Sequence, residues 1–374
     1  MFRSTRLARL GVALTAVVAV VGGSLAVSTT ASAKTKSLLP KSGVETPAGG
    51  TVVEAGSTLL EPLFNLWAAG YTTKYSSVTI QPGGGGSGAG ITDATTGLAQ
   101  IGASDAYLSP TQLTATPTAL NIPLAISAQL IVYNLPGITQ HVVLSGMVLS
   151  DIYQGKITTW NDSAIASLNP SLTLPNIPIV TLHRADSSGD TFLFTTFLSD
   201  ADPNGWGKTI SFDTTITWPN APGNVAEMGN SGMVTGCKSI AGCIAYVGIS
   251  YETQVLQSSL GYAQLVNGKG QTVLPSATSI AAEAAAFAKK TPANGTISMI
   301  DGKVSGGYPI INYEYAVVDS AQTSSTTAKN IRSILEWAIN PKDGNSPTYL
   351  LQVNFQPLPA KVEAQSLKQI AQIK

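Results

Sequence analysis

The sequence predicts an α/β fold in two lobes, on three observations. The chain has 374 residues, enough for two domains that each bury a core. Short apolar runs alternate with helical patterns: Thr51 to Val53 then Leu60 to Tyr75, Val78 to Gln81 then Gly90 onward, and Ile101 to Ala103 before another turn. That βαβ rhythm argues for a mainly parallel sheet covered by helices. Two apolar segments, Leu120 to Ile126 and Leu130 to Tyr133, then follow with no helix between them, and the second reads as a crossing into another lobe.

The elements follow in order. Residues 1–33 read as an export signal: Arg3, Arg6 and Arg9, an apolar run from Leu10 to about Val27, and the small-residue site Ala31-Ser32-Ala33. The mature chain then starts at Lys34. A retained membrane anchor is the rival reading, weakened by the break at Gly22, Gly23 and Ser24. No cysteine marks the cleavage point, so an exported protein is expected, periplasmic or at the cell surface, without a lipid-anchor cysteine. Residues 34–50 combine turn formers with no apolar period and read as a tether, with order beginning near Thr51. The first lobe is assigned residues 51–129 and 312–374, the second 130–311.

In the first helix Leu60, Leu63, Phe64, Trp67 and Tyr71 share one face, and Pro62 is tolerated in the opening turn. The second lobe is expected to hold a strand at Ile179 to Leu182, a helix from about Asp190 to Leu198, a strand at Cys243 to Val247 and an alanine-rich helix over Ala281 to Lys290. The β-prone run Tyr308 to Val318 would return the chain to the first lobe. Thr327 to Ile339 and Lys361 to Ile373 are amphipathic helices.

Charge excludes some functions. Lys plus Arg and Asp plus Glu both number 21, and charged residues are only 11% of the chain. Nucleic acid is therefore not expected as a partner. The only cysteines, Cys237 and Cys243, lie within GCKSIAGC, where an oxidising exterior makes a disulfide plausible. His141 and His183 show no metal-ligand spacing, and neither a metal nor a cofactor is expected.

Three strand-to-helix turns share one design: Ala55-Gly56-Ser57-Thr58, Gly83 to Gly90, and Asp186-Ser187-Ser188-Gly189. A helix N-terminus offers unpaired N–H groups and partial positive charge, and glycine lets the backbone approach an anion closely. Singly, each could be an ordinary cap or turn; three converging would make an oxyanion pocket. Gly83, Gly85 and Gly88 also fit a dinucleotide GxGxxG with Asp105 downstream, a pattern any glycine-rich tract meets easily and one that export makes unsuitable. Arg184 in HRAD can offer a planar fork of donors, held by Asp186. Asp105 in IGASDA is out of place against an anion unless the ligand carries a proton.

The segments EAGSTLLEPLFNLWAAGY, GGGGSGAGI, IGASDAYLS, DIYQGKITTWND, HRADSSGDTFLFTTFLS, GNSGMV, GCIAYVGISY and YPIINYEYAVV resemble, in order, the signatures of the phosphate-binding receptor (PstS) of the high-affinity phosphate ABC importer. The resemblance spans nearly the whole mature chain. It implies a type II periplasmic-binding-protein fold, two α/β lobes with a ligand cleft and crossing hinge strands. By position, the Thr58 hydroxyl, Leu59 N–H, Ser87 hydroxyl and Asp105 carboxylate would bind phosphate from the first lobe. Arg184, Ser188 and the Gly189 N–H would do so from the second, with Asp186 orienting Arg184. One departure stands out: many relatives have threonine after the Ser-Gly pair, where this chain has Asp190 followed by Thr191. Asp190 is read as pointing away to cap the helix. Facing the cleft, it would favour more protonated phosphate or lower the affinity.

The function this implies is a monomeric extracytoplasmic receptor that captures inorganic phosphate and delivers it to a membrane permease, not an enzyme. Phosphate keeps an O–H that can donate to Asp105, and sulfate has none. The alternatives are a secreted phosphatase of the same fold, which needs an activated nucleophile, and a receptor for another oxyanion.

Overall fold

The computed structural model describes residues 43–374; the expected export signal and the first part of the tether lie outside them. Strand β1 (Gly50–Gly56) leads into helix α1 (Glu61–Lys74), β2 (Val78–Gln81) into α2 (Ser87–Thr96), and β3 (Ile101–Ser104) follows. Helix α1 buries Leu63, Phe64, Trp67 and Tyr71 on one face, with proline in its first turn. Strands β2 and β3 both pair parallel with β1, so the ends of all three, and the turns after them, open on one side of the sheet.

The two apolar segments expected to straddle a lobe boundary are one strand, β4 (Ala119–Tyr133). Pro123 does not break it because a register shift sits there, where Tyr315 pairs with Pro123 and Glu314 with Ala125. Beyond β4 come β5 (Val180–Arg184), helix α3 (Gly189–Ala201), β6 (Val225–Glu227), α4 (Gly229–Ser239), β7 (Cys243–Gly248), α5 (Ala277–Ala288) and β8 (Ile311–Asp319). Among the described residues the main sheet runs β2-β1-β3-β8-β4-β7-β5-β6, with Gly261–Tyr262 added beside β4. Residues 119–128 of β4 pair antiparallel with β8, and 129–133 with β7. Strand β4 is thus common to two half-sheets, each otherwise parallel at its outer strands. Nearly every residue of β4 and β8 is buried, as expected of strands covered on both faces.

Helices α6 (Ser325–Ile339) and α7 (Ala360–Ile370) close the first half. Order begins earlier than Thr51. The Glu45 N–H donates to Glu336 Oε2 at 2.7 Å, and the Ala48 and Gly49 N–H groups donate to Asn330 Oδ1 at 2.8 and 3.1 Å. Arg332 Nε adds a bond to Glu45 Oε2 at 2.8 Å. Polar side chains of α6 hold this segment, and an apolar period does not register such docking. Cys237 and Cys243 form a disulfide joining the end of α4 to the start of β7.

Candidate functional site

Every strand-to-helix turn singled out in the sequence reaches the line where the two half-sheets meet. Asp105 follows β3 and is buried. Its Oδ1 accepts from Ser57 Oγ, its Oδ2 from Ser87 Oγ at 3.3 Å, and its N–H donates to Ser87 Oγ at 3.1 Å. Ser57, in the β1–α1 turn, also accepts the Leu59 and Leu60 N–H groups at 3.1 and 3.0 Å. The hydroxyl tied to Asp105 in that turn is therefore Ser57. Thr58 Oγ1 instead accepts the N–H and Nδ2 of Asn230 at 3.2 and 3.0 Å.

The second half of the sheet supplies a cation. Arg184, at the end of β5, gives Nε to Asp186 Oδ1 at 2.7 Å and Nη2 to Asp186 Oδ2, the bidentate pairing the sequence led us to expect. Its Nη1 goes to Asp190 Oδ2 at 2.8 Å. Asp190 therefore does not point away and does not cap α3. Ser188 caps that helix, its hydroxyl accepting the Thr191 N–H at 3.4 Å. The second position of α3 faces the sheet, so Asp190 turns inward. It collects Asn230 Nδ2 at 2.7 Å and Gln129 Nε2 at 3.2 Å as well as the guanidinium. Thr191 bonds the Tyr246 hydroxyl at 2.8 Å, which itself accepts the Arg184 N–H at 2.9 Å.

The two halves touch at the site. A Cβ on Gly189 would collide with Asp105 Oδ2 and Ser87 Oγ, so only glycine lets the start of α3 approach that carboxylate. Gly86, at φ 91°, leaves equally little room beside Asp186 and the Ser187 carbonyl. The Gly88 N–H donates to the Ser187 carbonyl at 3.0 Å, and Ser250 Oγ donates to the Leu59 carbonyl at 2.8 Å. A pocket of about 250 Å³ opens beside Thr58, Asp186 and Asn230. A helix start leaves donors without intrahelical partners; of those in α2 and α3, the Gly88 N–H goes to the Ser187 carbonyl and the Thr191 N–H to the Ser188 hydroxyl.

Burial dominates the electrostatics. It raises the Asp105 carboxyl above its usual range, and the charge of Asp190 pushes the same way, against Glu314, Ser57 and Arg184. Burial likewise raises Asp190, against Arg184, Asn230 and Gln129. Glu314, on β8, is raised by burial and then by Asp105, which its side chain contacts. Its Oε1 accepts from Asn312 Nδ2 at 3.0 Å, and the same amide reaches the Asp105 carbonyl at 3.3 Å. Burial and the neighbouring Asp105 both favour the neutral form of Glu314. Burial opposes the charge on Arg184, but Asp186 and Asp190 hold it protonated. Burial would raise Asp186 too, yet the Arg184 bonds and the Gly229 N–H hold it low.

The structure therefore gathers Thr58, Leu59, Ser87, Asp105, Arg184, Asp186, Ser188, Gly189 and Asp190 around one line, with Thr191 behind it. Sequence reasoning missed Ser57, Gln129, Asn230 and Glu314. Ser57, Asn230 and Glu314 were within reach, since each lies in a segment singled out for its motif, whereas Gln129 sits inside a strand and reads as core.

Comparison with known proteins agrees with this geometry. A family model described as a PBP superfamily domain matches residues 42–338. The phosphate-binding protein PstS of Xylella fastidiosa is 30% identical over 318 residues, covering 83% of this chain and 82% of that protein. The phosphate-binding protein PstS of Methanocaldococcus jannaschii is 30% identical over 350 residues, 88% of each. Among solved structures, a phosphate-binding protein from Stenotrophomonas maltophilia has the same fold, with a TM-score of 0.63 at 20% identity, covering 86% of this chain and 94% of that one. With the strand order, the cleft turns and these likenesses in hand, the chain belongs to the PstS family of phosphate-binding proteins, within the PBP superfamily.

Proposed function

We propose that this chain captures inorganic phosphate outside the cytoplasm and hands it to the membrane permease of an ABC importer. One observation carries the reading: three helix starts, a buried arginine and a buried carboxylate meet where two half-sheets join, in a member of this family. The dipoles of α2 and α3 and the remaining N–H groups of Arg184 supply donors to a tetrahedral anion. Asp105 accepts a proton that phosphate carries and sulfate lacks. Thr58, Leu59, Ser87, Ser188 and Gly189 complete the ligand set.

Residues 51–129 with 312–374, and 130–311, act as the two lobes, joined through β4 and β8. The contacts from Gly88 to Ser187 and from Asn230 to Thr58 span them and favour the closed form when ligand bridges both. The chain works as a monomeric binding protein, not an enzyme. The hydroxyls at the site are engaged by Asp105, by helix capping or, for Thr58, by Asn230, and the histidine rings bond elsewhere, His183 to Asn224 and His141 to the Tyr262 carbonyl. Without an activated nucleophile, hydrolysis has no starting point.

Calorimetric titration of the chain from Lys34 with phosphate, arsenate and sulfate tests the reading. Binding of phosphate in preference to sulfate is expected. Absence of phosphate binding across the pH range in which the chain is folded would refute it.

A further inference from the structure

The Thr58 hydroxyl is used up as an acceptor and untouched as a donor. Its Oγ1 takes the backbone N–H of Asn230 at 3.2 Å and the side-chain Nδ2 of the same residue at 3.0 Å. A hydroxyl oxygen has two lone pairs and one hydrogen, so both lone pairs are filled. Among the described residues no acceptor takes the hydrogen. Ser57, one residue earlier, shows the same pattern completed: it accepts the Leu59 and Leu60 N–H groups and gives its hydrogen to Asp105. The hydrogen of Thr58 is left for whatever occupies the pocket that Thr58 lines with Asp186 and Asn230.

Asn230 has no freedom to act otherwise. It is completely buried, and its Oδ1 accepts the Gly248 N–H at 2.8 Å. A backbone N–H can only donate, so the carbonyl end of the amide must face Gly248 and the NH₂ end must face the site. One Nδ2 hydrogen goes to Asp190 Oδ2 at 2.7 Å and the other to Thr58. The residue before it is pinned as well, the Gly229 N–H donating to Asp186 Oδ1 at 3.1 Å.

Resting on the phosphate-receptor reading, we propose that Asn230 is a positioning residue: by filling both lone pairs of Thr58 from across the cleft, it makes that hydroxyl an obligate donor to the bound oxyanion. A hydroxyl free to rotate presents a lone pair to an anion as readily as a hydrogen, and only the hydrogen attracts. Thr58 belongs to the β1–α1 turn and Asn230 to α4, in the two halves of the molecule. The polarity of Thr58 is therefore set only when those halves are together. Closure does more than enclose the anion, because it converts a two-way hydroxyl into a one-way one. An obligate donor serves any anion oxygen with a lone pair, so Thr58 adds affinity for phosphate and sulfate alike and leaves the choice between them to Asp105.

Calorimetric titration of the chain from Lys34 with inorganic phosphate, and with sulfate in competition, tests this through a double-mutant cycle. Thr58→Val removes the hydroxyl. Phosphate affinity is expected to fall about tenfold to a hundredfold, with the preference for phosphate over sulfate unchanged. Asn230→Ala should weaken phosphate binding about tenfold in the parent and by a much smaller factor in Thr58→Val, where the hydroxyl it acts through is already gone. Thr58→Ser keeps a hydroxyl and should restore both the affinity and the sensitivity to Asn230→Ala. The same factor for Asn230→Ala in the parent and in Thr58→Val would overturn this inference and leave phosphate binding intact. If Asn230→Ala does not fold, Thr58→Val alone decides: a changed preference between phosphate and sulfate would show that the hydroxyl accepts a hydrogen from the ligand, which also overturns it. Failure of wild type to bind phosphate at any pH would instead overturn the receptor reading itself.

Discussion

The two walls of the cleft solve the same problem differently. On the β3 side, Asp105 is buried with no cation bonded to it, and its oxygens are met by the hydroxyls of Ser57 and Ser87. On the β5 side, a guanidinium serves two carboxylates at once. A carboxylate held by neutral hydroxyls can be kept as the partner of a proton. One held by an arginine depends on that arginine for its place in the interior. On the proposed function the first wall reads the chemistry of the ligand, while the second carries the structural risk.

The sharpest test of that contrast is Arg184→Met, which leaves Asp186 and Asp190 buried without their cation. Removing one partner of a buried ion pair typically costs about 3–5 kcal/mol, and exposure at these positions is too small for screening to reduce it. The midpoint of urea unfolding should shift accordingly, with loss of phosphate binding. A variant as stable as the parent would erase the distinction between the walls.

Asp105→Asn should do the opposite, sparing most of the stability while narrowing the preference for phosphate over sulfate. Exchanging an obligatory acceptor for an amide that can also donate removes a mismatch of a few kcal/mol, about a hundredfold in relative affinity. Competition calorimetry reads it directly, and unchanged discrimination would show that the β3 wall does not read protons.

A smaller effect concerns pH. Asp105, Asp190 and Glu314 all hold protons more tightly in the folded chain than a free carboxyl does, as do the buried Glu54 and, at about 7, Glu283. Between the unfolded value, about 4, and the folded values, the native state binds more protons than the unfolded one. Stability without ligand therefore falls as pH rises through that window. Asp186 and Asp202, both lowered, contribute the reverse, losing their share as pH drops. The raised group is larger, so thermal unfolding should occur several degrees lower at about pH 8 than at about pH 5. A flat or rising profile would mean that these acids are charged in the folded chain and that the β3 wall needs a cation after all.

Much of this architecture was legible from residue order. The stripe Leu63, Phe64, Trp67 and Tyr71 announced α1 because helical period and burial coincide there. The turn at Gly189 could be found because glycine and hydroxyl residues mark a helix start. Local patterns did not reveal pairings between distant residues. Asp190 was expected to cap α3, and what turns it inward is a glutamine on β4, 61 positions away, and an asparagine on α4, 40 positions away. Glu314 lies in an apolar strand and meets Asp105 only because β8 runs beside β3. The docking of residues 45–49 likewise depends on α6, more than 280 positions on. In the β1–α1 turn two adjacent hydroxyls compete for one carboxylate, and the choice of Ser57 over Thr58 is made by the backbone of the turn.

Strand β4 changes partner between Ala128, opposite β8, and Gln129, opposite β7. Gln129 is also the residue whose side chain grips both the backbone carbonyl and the carboxylate of Asp190, and whose own carbonyl accepts the Tyr308 hydroxyl at 2.7 Å. If the two half-sheets turn about that change of partner, as the two-lobe proposal requires, the bend falls at a residue already bonded to Asp190. Torque and chemistry would then share a single side chain, and an anion held by Arg184 would be felt at the bend through Asp190 and Gln129 alone.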